Sequence, residues 1–368
     1  MLQYFLRQET WWQCLWISAI MDIKGFLNQA KTDKGALGDL HVLRFYSSYV
    51  IISGRKAIEA TDPHMEYCPL ASYLYDGIKR LKDFDIEVVK KVIKKIVERK
   101  ISEFGFFTEN RKFFSSAITI PYGASEILMY AMRKKIIDAA VIVCDGAGTV
   151  IVNRPETIQG IGARMNGLFY TSPIGRTRER LESAGCKILF PDAAIDQVKG
   201  VEKAAKLGYK NIAVTINALM DEDFKELEKI EEKYNVSVTS LTICTTGATE
   251  EEILEIEKYS DIVWSCASEG VREIIGKKAI VQFSRKIPVF VLTKKGLDLV
   301  SGYSARSDII KNLDMRKQYF IAYNGRGDKI QVGDFDAWLT ESKLPVRDKK
   351  EPKLIQYIPV QGKIRYSV

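Results

Sequence analysis

Histidine is nearly missing from this chain of 368 residues: His41 and His64 are the only two. A histidine-rich metal site or a Ser-His-Asp triad therefore has little to be built from. The six cysteines form no C-x-x-C pair, which argues against a zinc ribbon or finger. No G-x-G-x-x-G opens a helix after a strand with an acid downstream, so the dinucleotide fingerprint is absent. A membrane span needs about 20 mostly apolar residues. The aromatic stretch 1–20 (MLQYFLRQETWWQCLWISAI) carries Arg7, Gln8, Glu9 and Gln13 and does not qualify. Its flanks also do not fit a secretory signal. It reads either as a docking helix or as translated upstream sequence, with Met21 the natural start.

A clustered basic block is lacking as well. The formal net charge is +8, but Lys and Arg are interspersed with Asp and Glu. That pattern describes solvated helix faces rather than a nucleic-acid footprint. Neither nucleic acid nor membrane is expected as a partner. Cysteines at 14, 68, 144, 186, 244 and 266 without a secretory signal indicate free thiols in a reducing cytoplasm. Frequent Lys-Lys and Glu-Glu pairs give the composition a thermophilic cast. The 46% apolar content is ample for real cores.

What is present is organised around residues 141–149, VIVCDGAGT. A short apolar run bounded by glycines reads as a buried, parallel strand. Gly146 and Gly148 leave space for a ligand or a close backbone. Ligands of open α/β sheets sit outside the carboxyl ends of the strands, so Cys144 and Asp145 are the first candidates for chemistry. Upstream, residues 41–58 alternate around a Ser-Gly turn and predict a hairpin. Pro69 forces Cys68 into an extended conformation at a loop entering a helix. Residues 85–103 predict a helix with Val88, Val89, Val92, Ile93, Ile96 and Val97 on one stripe. The helix beginning near 124 follows Gly123, with Ser125 or Ser116 as its cap, and its free N–H groups suit an anion. Arg164 stands among glycines, where its fork can meet a phosphate or carboxylate.

From residue 186 strands and helices alternate: 187–190, 195–207, 211–216, 221–233, 236–244, 250–259, 261–266, 270–276 and 289–292. That rhythm means βαβ units. The predicted architecture is α/β with a mainly parallel sheet, a mixed α/β N-terminal half and a C-terminal β appendage. The divisions are an extension at 1–40, an N-terminal half at 41–185, a Rossmann-like half at 186–312, and a hairpin and tail at 313–368. The hairpin turn is assigned to Asn324-Gly325.

Three strands end alike: VIVC at Cys144, LTIC at Cys244 and IVWSC at Cys266. In one sheet these thiols would share one rim. With Cys68 they form a candidate ligand set for an iron–sulfur cluster or a soft metal. Helix N-termini after Cys244 and Cys266 would favour thiolate. A single thiol, Cys144 or Cys266, would instead act as nucleophile, with Asp145 or Glu269 moving protons. Thr245, Thr246, Ser265 and Ser268 would cradle a carboxylate or phosphate. Cysteine is also a common apolar filler at buried strand ends.

EYCPL (66–70), GASEILM (123–129), IIDAAVIVCDGAGTV (136–150), IQGIGARMNGL (158–168), AIDQVKGVEKA (194–204) and CASEGVREI (266–274) together resemble methanogenesis marker protein 8. The resemblance spans residues 40–300. It implies a cytoplasmic, strictly anaerobic setting and a role tied to methyl-coenzyme M reductase, its assembly machinery or its coenzymes. It implies no particular reaction. Cys68, Cys144, Asp145 and Cys266 fall in its motifs. Relatives tend to carry a cysteine near FGFFT, where this chain has Phe106 and Phe107, and a histidine where Cys244 stands. Two functions follow as expectations. One is a metal- or iron–sulfur-handling assembly factor for methyl-coenzyme M reductase. The other is an enzyme or binding protein for an anionic coenzyme precursor, using Ser125, Arg164 and the glycine and hydroxyl turns.

Overall fold

The computed structural model describes residues 38–79, 85–220, 223–323, 325–354, 356–360 and 363–367. The aromatic stretch 1–20, with Cys14 and Met21, lies outside them, as does Asn324.

The chain opens with a meander of β1 (His41–Phe45), β2 (Ser48–Ser53) and β3 (Lys56–Ala60). Helices α1 (Pro69–Leu74) and α2 (Asp76–Lys79) lead to α3 (Ile86–Phe104). Asp85 starts α3 by accepting a hydrogen bond from the Val88 N–H, and Gly105 ends it in the left-handed region at φ 69°. The buried stripe is Val89, Ile93, Ile96, Val97, Lys100 and Ile101. Val88 falls off it and is exposed, because it lies one helical step from Val89 and so on the flank. The stripe packs on Leu43, Phe45, Val50 and Ile52 of the meander.

Next come α4 (Ala124–Arg133), β4 (Ala139–Cys144), β5 (Gly148–Val152), α5 (Pro155–Gly162), β6 (Gly167–Thr171), α6 (Gly175–Ser183) and β7 (Lys187–Ile188). The alternating part runs through α7 (Gln197–Lys206), β8 (Asn211–Asn217), α8 (Phe224–Tyr234), β9 (Ser237–Ile243), α9 (Glu250–Tyr259) and β10 (Ile262–Trp264). Thr249 and Glu252 close a reciprocal capping box on α9. A π-helical turn, Val271–Ile275, replaces the expected helix there. Strands β11 (Val281–Phe283) and β12 (Val289–Val291), helices α10 (Lys294–Ser301) and α11 (Ser307–Lys311), and strands β13 (Tyr319–Ala322), β14 (Asp328–Val332) and β15 (Phe335–Glu341) follow. Two strands, β16 (Gln356–Val360) and β17 (Lys363–Ser367), pair with each other.

The large sheet has 11 strands in the order β14-β15-β13-β11-β12-β10-β9-β8-β4-β5-β7, and the small sheet is β3-β2-β1-β6. The large sheet is mixed rather than mainly parallel. Four of its pairings are parallel and six are antiparallel. The central block β10-β9-β8-β4 is the parallel part. The expected turn at Asn324 lies outside the described residues; β13 and β14 on either side of it each pair with β15, and β14 turns into β15 through Gly333 and Asp334.

The middle of the large sheet is covered on both faces, and β4, β10 and β12 are apolar throughout, whereas β14 and β15 at the edge carry exposed residues. Side chains still alternate. Ala139 and Val141 join the core beneath α7 and α8, while Ala140, Ile142 and Cys144 join the core on the α4, α5 and α10 side.

Candidate functional site: a cavity at the carboxyl rim of the parallel strands

Because β4, β8, β9 and β10 are parallel, their carboxyl ends share one edge. The small sheet stands over that edge, and between them lies a cavity of about 290 Å³. The rim expected from the strand-end rule is therefore occupied by a real cavity. Of the expected residues, Cys68, Ser125, Arg164, Cys244, Thr246 and Cys266 line it, and Cys144, Asp145, Gly146, Gly148, Thr245 and Ser268 do not.

Asp145 does not reach it. Residues 145–147 form the tight turn of a β4–β5 hairpin, with Cys144 opposite Gly148. The run read as a parallel strand is parallel only on its β8 side. Asp145 is fully buried, and its Oδ1 accepts from Arg111 Nε at 2.8 Å while Oδ2 accepts from the Phe107 N–H at 2.6 Å. Arg111 also donates to the Ile161 carbonyl and stacks on Phe106, 3.7 Å from the ring centroid. The carboxylate thus clamps the FGFFT segment to the hairpin and has no free oxygen facing a ligand. Gly146 and Gly148 serve backbone packing. A Cβ on Gly148 would lie 2.2 Å from the Ala193 carbonyl oxygen, and one on Gly146 would strike Ile174.

The five described cysteines are free. Cys144 shares the parity of Ile142 and faces the core, where its Sγ donates to the Asp145 carbonyl. Cys68, Cys244 and Cys266 line the cavity. Cys244 (φ 60°) and Cys266 (φ 45°) take left-handed conformations that turn the chain off the rim. Burial pushes the Cys68 thiol up to about 11 and Cys244 up to about 12, and raises Cys266. Helix N-termini were expected to favour thiolate here, but desolvation outweighs them. These thiols are protonated at neutral pH, so they are weak nucleophiles. Among the described residues no three His, Cys, Asp or Glu side chains are grouped to hold a metal ion.

The hydroxyls are mostly spent on the rim loops. Thr245 Oγ1 donates to the Trp264 carbonyl at 2.7 Å, Thr246 Oγ1 accepts from the Ala267 N–H at 2.9 Å, and Ser268 Oγ accepts from the Val271 N–H at 3.2 Å. Of these three, Thr246 lines the cavity. Glu269 is exposed and does not line it. Ser125 does line it, but it does not cap α4. Gly123 occupies the cap position, and Ser125 Oγ donates to Glu126 Oε2 at 3.0 Å. No side chain caps the N-terminus of α4. Glu126 is buried and accepts at Oε1 from the Thr119 and Ile120 N–H groups and from Gln159 Nε2.

The walls are predominantly apolar, with Met65, Leu168, Ile243 and Trp264 among them, and two arginines enter. Arg44 on β1 donates from Nη1 to the Thr246 carbonyl at 2.5 Å and lies over the Tyr49 ring. Arg164, at φ 62°, rests its guanidinium 4.5 Å from the Phe104 centroid and reaches Thr119 Oγ1 at 3.4 Å. Among the described residues neither guanidinium has a carboxylate oxygen within 4.0 Å. Asn217, at the end of β8, adds a buried Nδ2 without a hydrogen-bond partner. Behind the wall, Lys100 Nζ donates to the Arg164 carbonyl at 3.0 Å and to Asn166 Oδ1.

Sequence reasoning found Cys68, Ser125, Arg164, Cys244, Thr246 and Cys266 but missed Arg44, Asn217, Glu126, Lys100 and Arg111. Lys100 was detectable, since it continues the stripe three residues after Val97. Arg111 was detectable as a cation inside an aromatic run. Nothing local marks Arg44, whose carbonyl partner is 202 residues away.

Residues 41–303 match the family model described as an uncharacterized protein conserved in archaea, DUF2099. The chain belongs to this family. The matched span holds every cavity residue named above. The uncharacterized protein MJ0054 of Methanocaldococcus jannaschii is 39% identical over 264 residues, covering 71% of this chain and 89% of that relative. No helix among the described residues is long and apolar enough to cross a membrane.

Proposed function

We propose that the protein binds a small anionic molecule with a partly apolar body in the rim cavity. The observation that carries this reading is the pair of arginines without carboxylate partners in a mainly apolar enclosure. Both arginines are half-buried, and an anion would offset the hydration that each guanidinium loses at the apolar wall. The unpartnered Asn217 donor adds to the demand for an acceptor. The motif resemblance to methanogenesis marker protein 8 supports placing the ligand among anionic coenzymes, or their precursors, that serve methyl-coenzyme M reductase in an anaerobic cytoplasm. A metal- or iron–sulfur-handling role draws on the same cavity through Cys68, Cys244 and Cys266. It is the weaker reading, because among the described residues no three His, Cys, Asp or Glu side chains are grouped to hold a metal ion.

Calorimetric titration with hexanoate, hexanol and hexylammonium separates charge from apolar fit. Hexanoate is expected to bind, and Arg44→Met to weaken it about tenfold or more, the loss of about 1.4 kcal/mol that one charge-assisted hydrogen bond supplies. Equal binding of hexanol or hexylammonium would overturn the reading.

A further inference from the structure

The two arginines make separate contacts. Arg44 belongs to the β9 end of the cavity: it contacts the Thr246 and Ser47 carbonyls and the Tyr49 ring. Its strand partner is Gly167, where an added Cβ would lie 2.9 Å from Cys244 Sγ and 3.6 Å from Asn217 Nδ2. The unpartnered Asn217 donor therefore sits on the Arg44 side. Arg164 belongs to the α4 end: its contacts are Thr119 and Phe104, and Thr119 in turn leads to Glu126 and Ser125. The two contact sets share no residue. Both guanidiniums line the same cavity, with apolar wall from Leu168, Ile243 and Trp264 included in the lining.

Resting on the anion-binding reading above, we propose that the ligand is a dianion whose two anionic groups are joined by an aliphatic spacer. One group is received by Arg44 with Asn217, the other by Arg164. A monoanion would complete one guanidinium and leave the second, half-buried, without an anion. The Glu126 carboxylate lies on the Arg164 side. Its charge is carried by four donors, and it lowers the positive potential there. That end therefore suits a singly charged carboxylate, and the Arg44 end takes the stronger anion. The cavity, of about 290 Å³, has room for such a spacer.

The test is calorimetric titration of the full chain with α,ω-dicarboxylates from butanedioate to decanedioate, each beside the monocarboxylate of equal length. The expected result is one chain length at which the dicarboxylate binds at least tenfold more tightly than its monocarboxylate. Arg44→Lys and Arg164→Lys, which keep the charge but lose the fork, should each reduce that advantage. Equal affinity of dicarboxylate and monocarboxylate at every length would overturn the two-headed ligand while leaving anion binding intact. Absence of binding by either series would overturn both. The comparison on the unsubstituted protein decides without relying on any variant to fold.

Discussion

Arg111 Nε and Asp145 Oδ1 meet at 2.8 Å with both side chains fully withdrawn from solvent. This pair turns the most conspicuous stretch of the sequence, CDGAGT, into scaffold. Removing one partner of a buried pair strands the other as an uncompensated charge, at about 3–5 kcal/mol. Asp145→Ala and Arg111→Met should each lower stability by that order in urea unfolding. Carboxylate affinity per folded molecule should stay unchanged. A folded Asp145→Ala protein with full stability and lost binding would return Asp145 to the site.

Lys100 makes stability depend on pH. Burial, with Arg111 and Arg164 nearby, holds its ammonium down at about 7, against 10.5 for the free side chain. Between those values the unfolded chain binds more protons, so stability rises with pH. The penalty is complete below pH 7 and relieved as pH climbs towards 10.5. Across pH 8–9.5 the wild type should gain on Lys100→Met by up to about 1.4 kcal/mol per pH unit. Parallel stability curves for the two proteins would contradict this.

The cavity thiols should be sluggish. With Cys68 at about 11 and Cys244 at about 12, alkylation by iodoacetamide at pH 8 should run roughly a hundredfold slower at Cys68, and roughly a thousandfold slower at Cys244, than in the unfolded chain. The native rate should keep climbing with each pH unit up to pH 10, where the unfolded rate has levelled off. Mass spectrometry of the labelled peptides checks this, and fast labelling of Cys244 at pH 7 would contradict it.

Gly148 has φ 71° and no room for a Cβ beside the Ala193 carbonyl. Gly148→Ala should cost at least about 2 kcal/mol. Gly175→Ala, at the first residue of α6 with open space around it, should be neutral or stabilising. Thermal unfolding of the two variants checks the contrast.

Much of the local structure was legible in the sequence, because it depends on signals a few residues apart. Asp85 and Gly105 bracket α3, Thr249 and Glu252 cap α9, and β8 and β9 appear within a residue or two of their expected places. The rim was legible too, since parallel strands put their carboxyl ends together. Pairing direction was not. A strand covered on both faces is apolar throughout, so β12 reads the same whether it pairs parallel or, as found with β10 and β11, antiparallel. The facing of Cys144 turned on strand parity, which places it with Ile142 in the core. Arg44 was hidden because its value comes from Thr246 and Gly167, far away in sequence.

The most direct measurement is thiol protection by hexanoate, read residue by residue with iodoacetamide at pH 9. A ligand held in the rim cavity should slow labelling of Cys68, Cys244 and Cys266, leave Cys144 and Cys186 as they were, and lose its effect in Arg44→Met/Arg164→Met. Bound hexanoate that protects none of the three cavity thiols, or protects them equally in the double variant, would contradict the anion site proposed for this cavity.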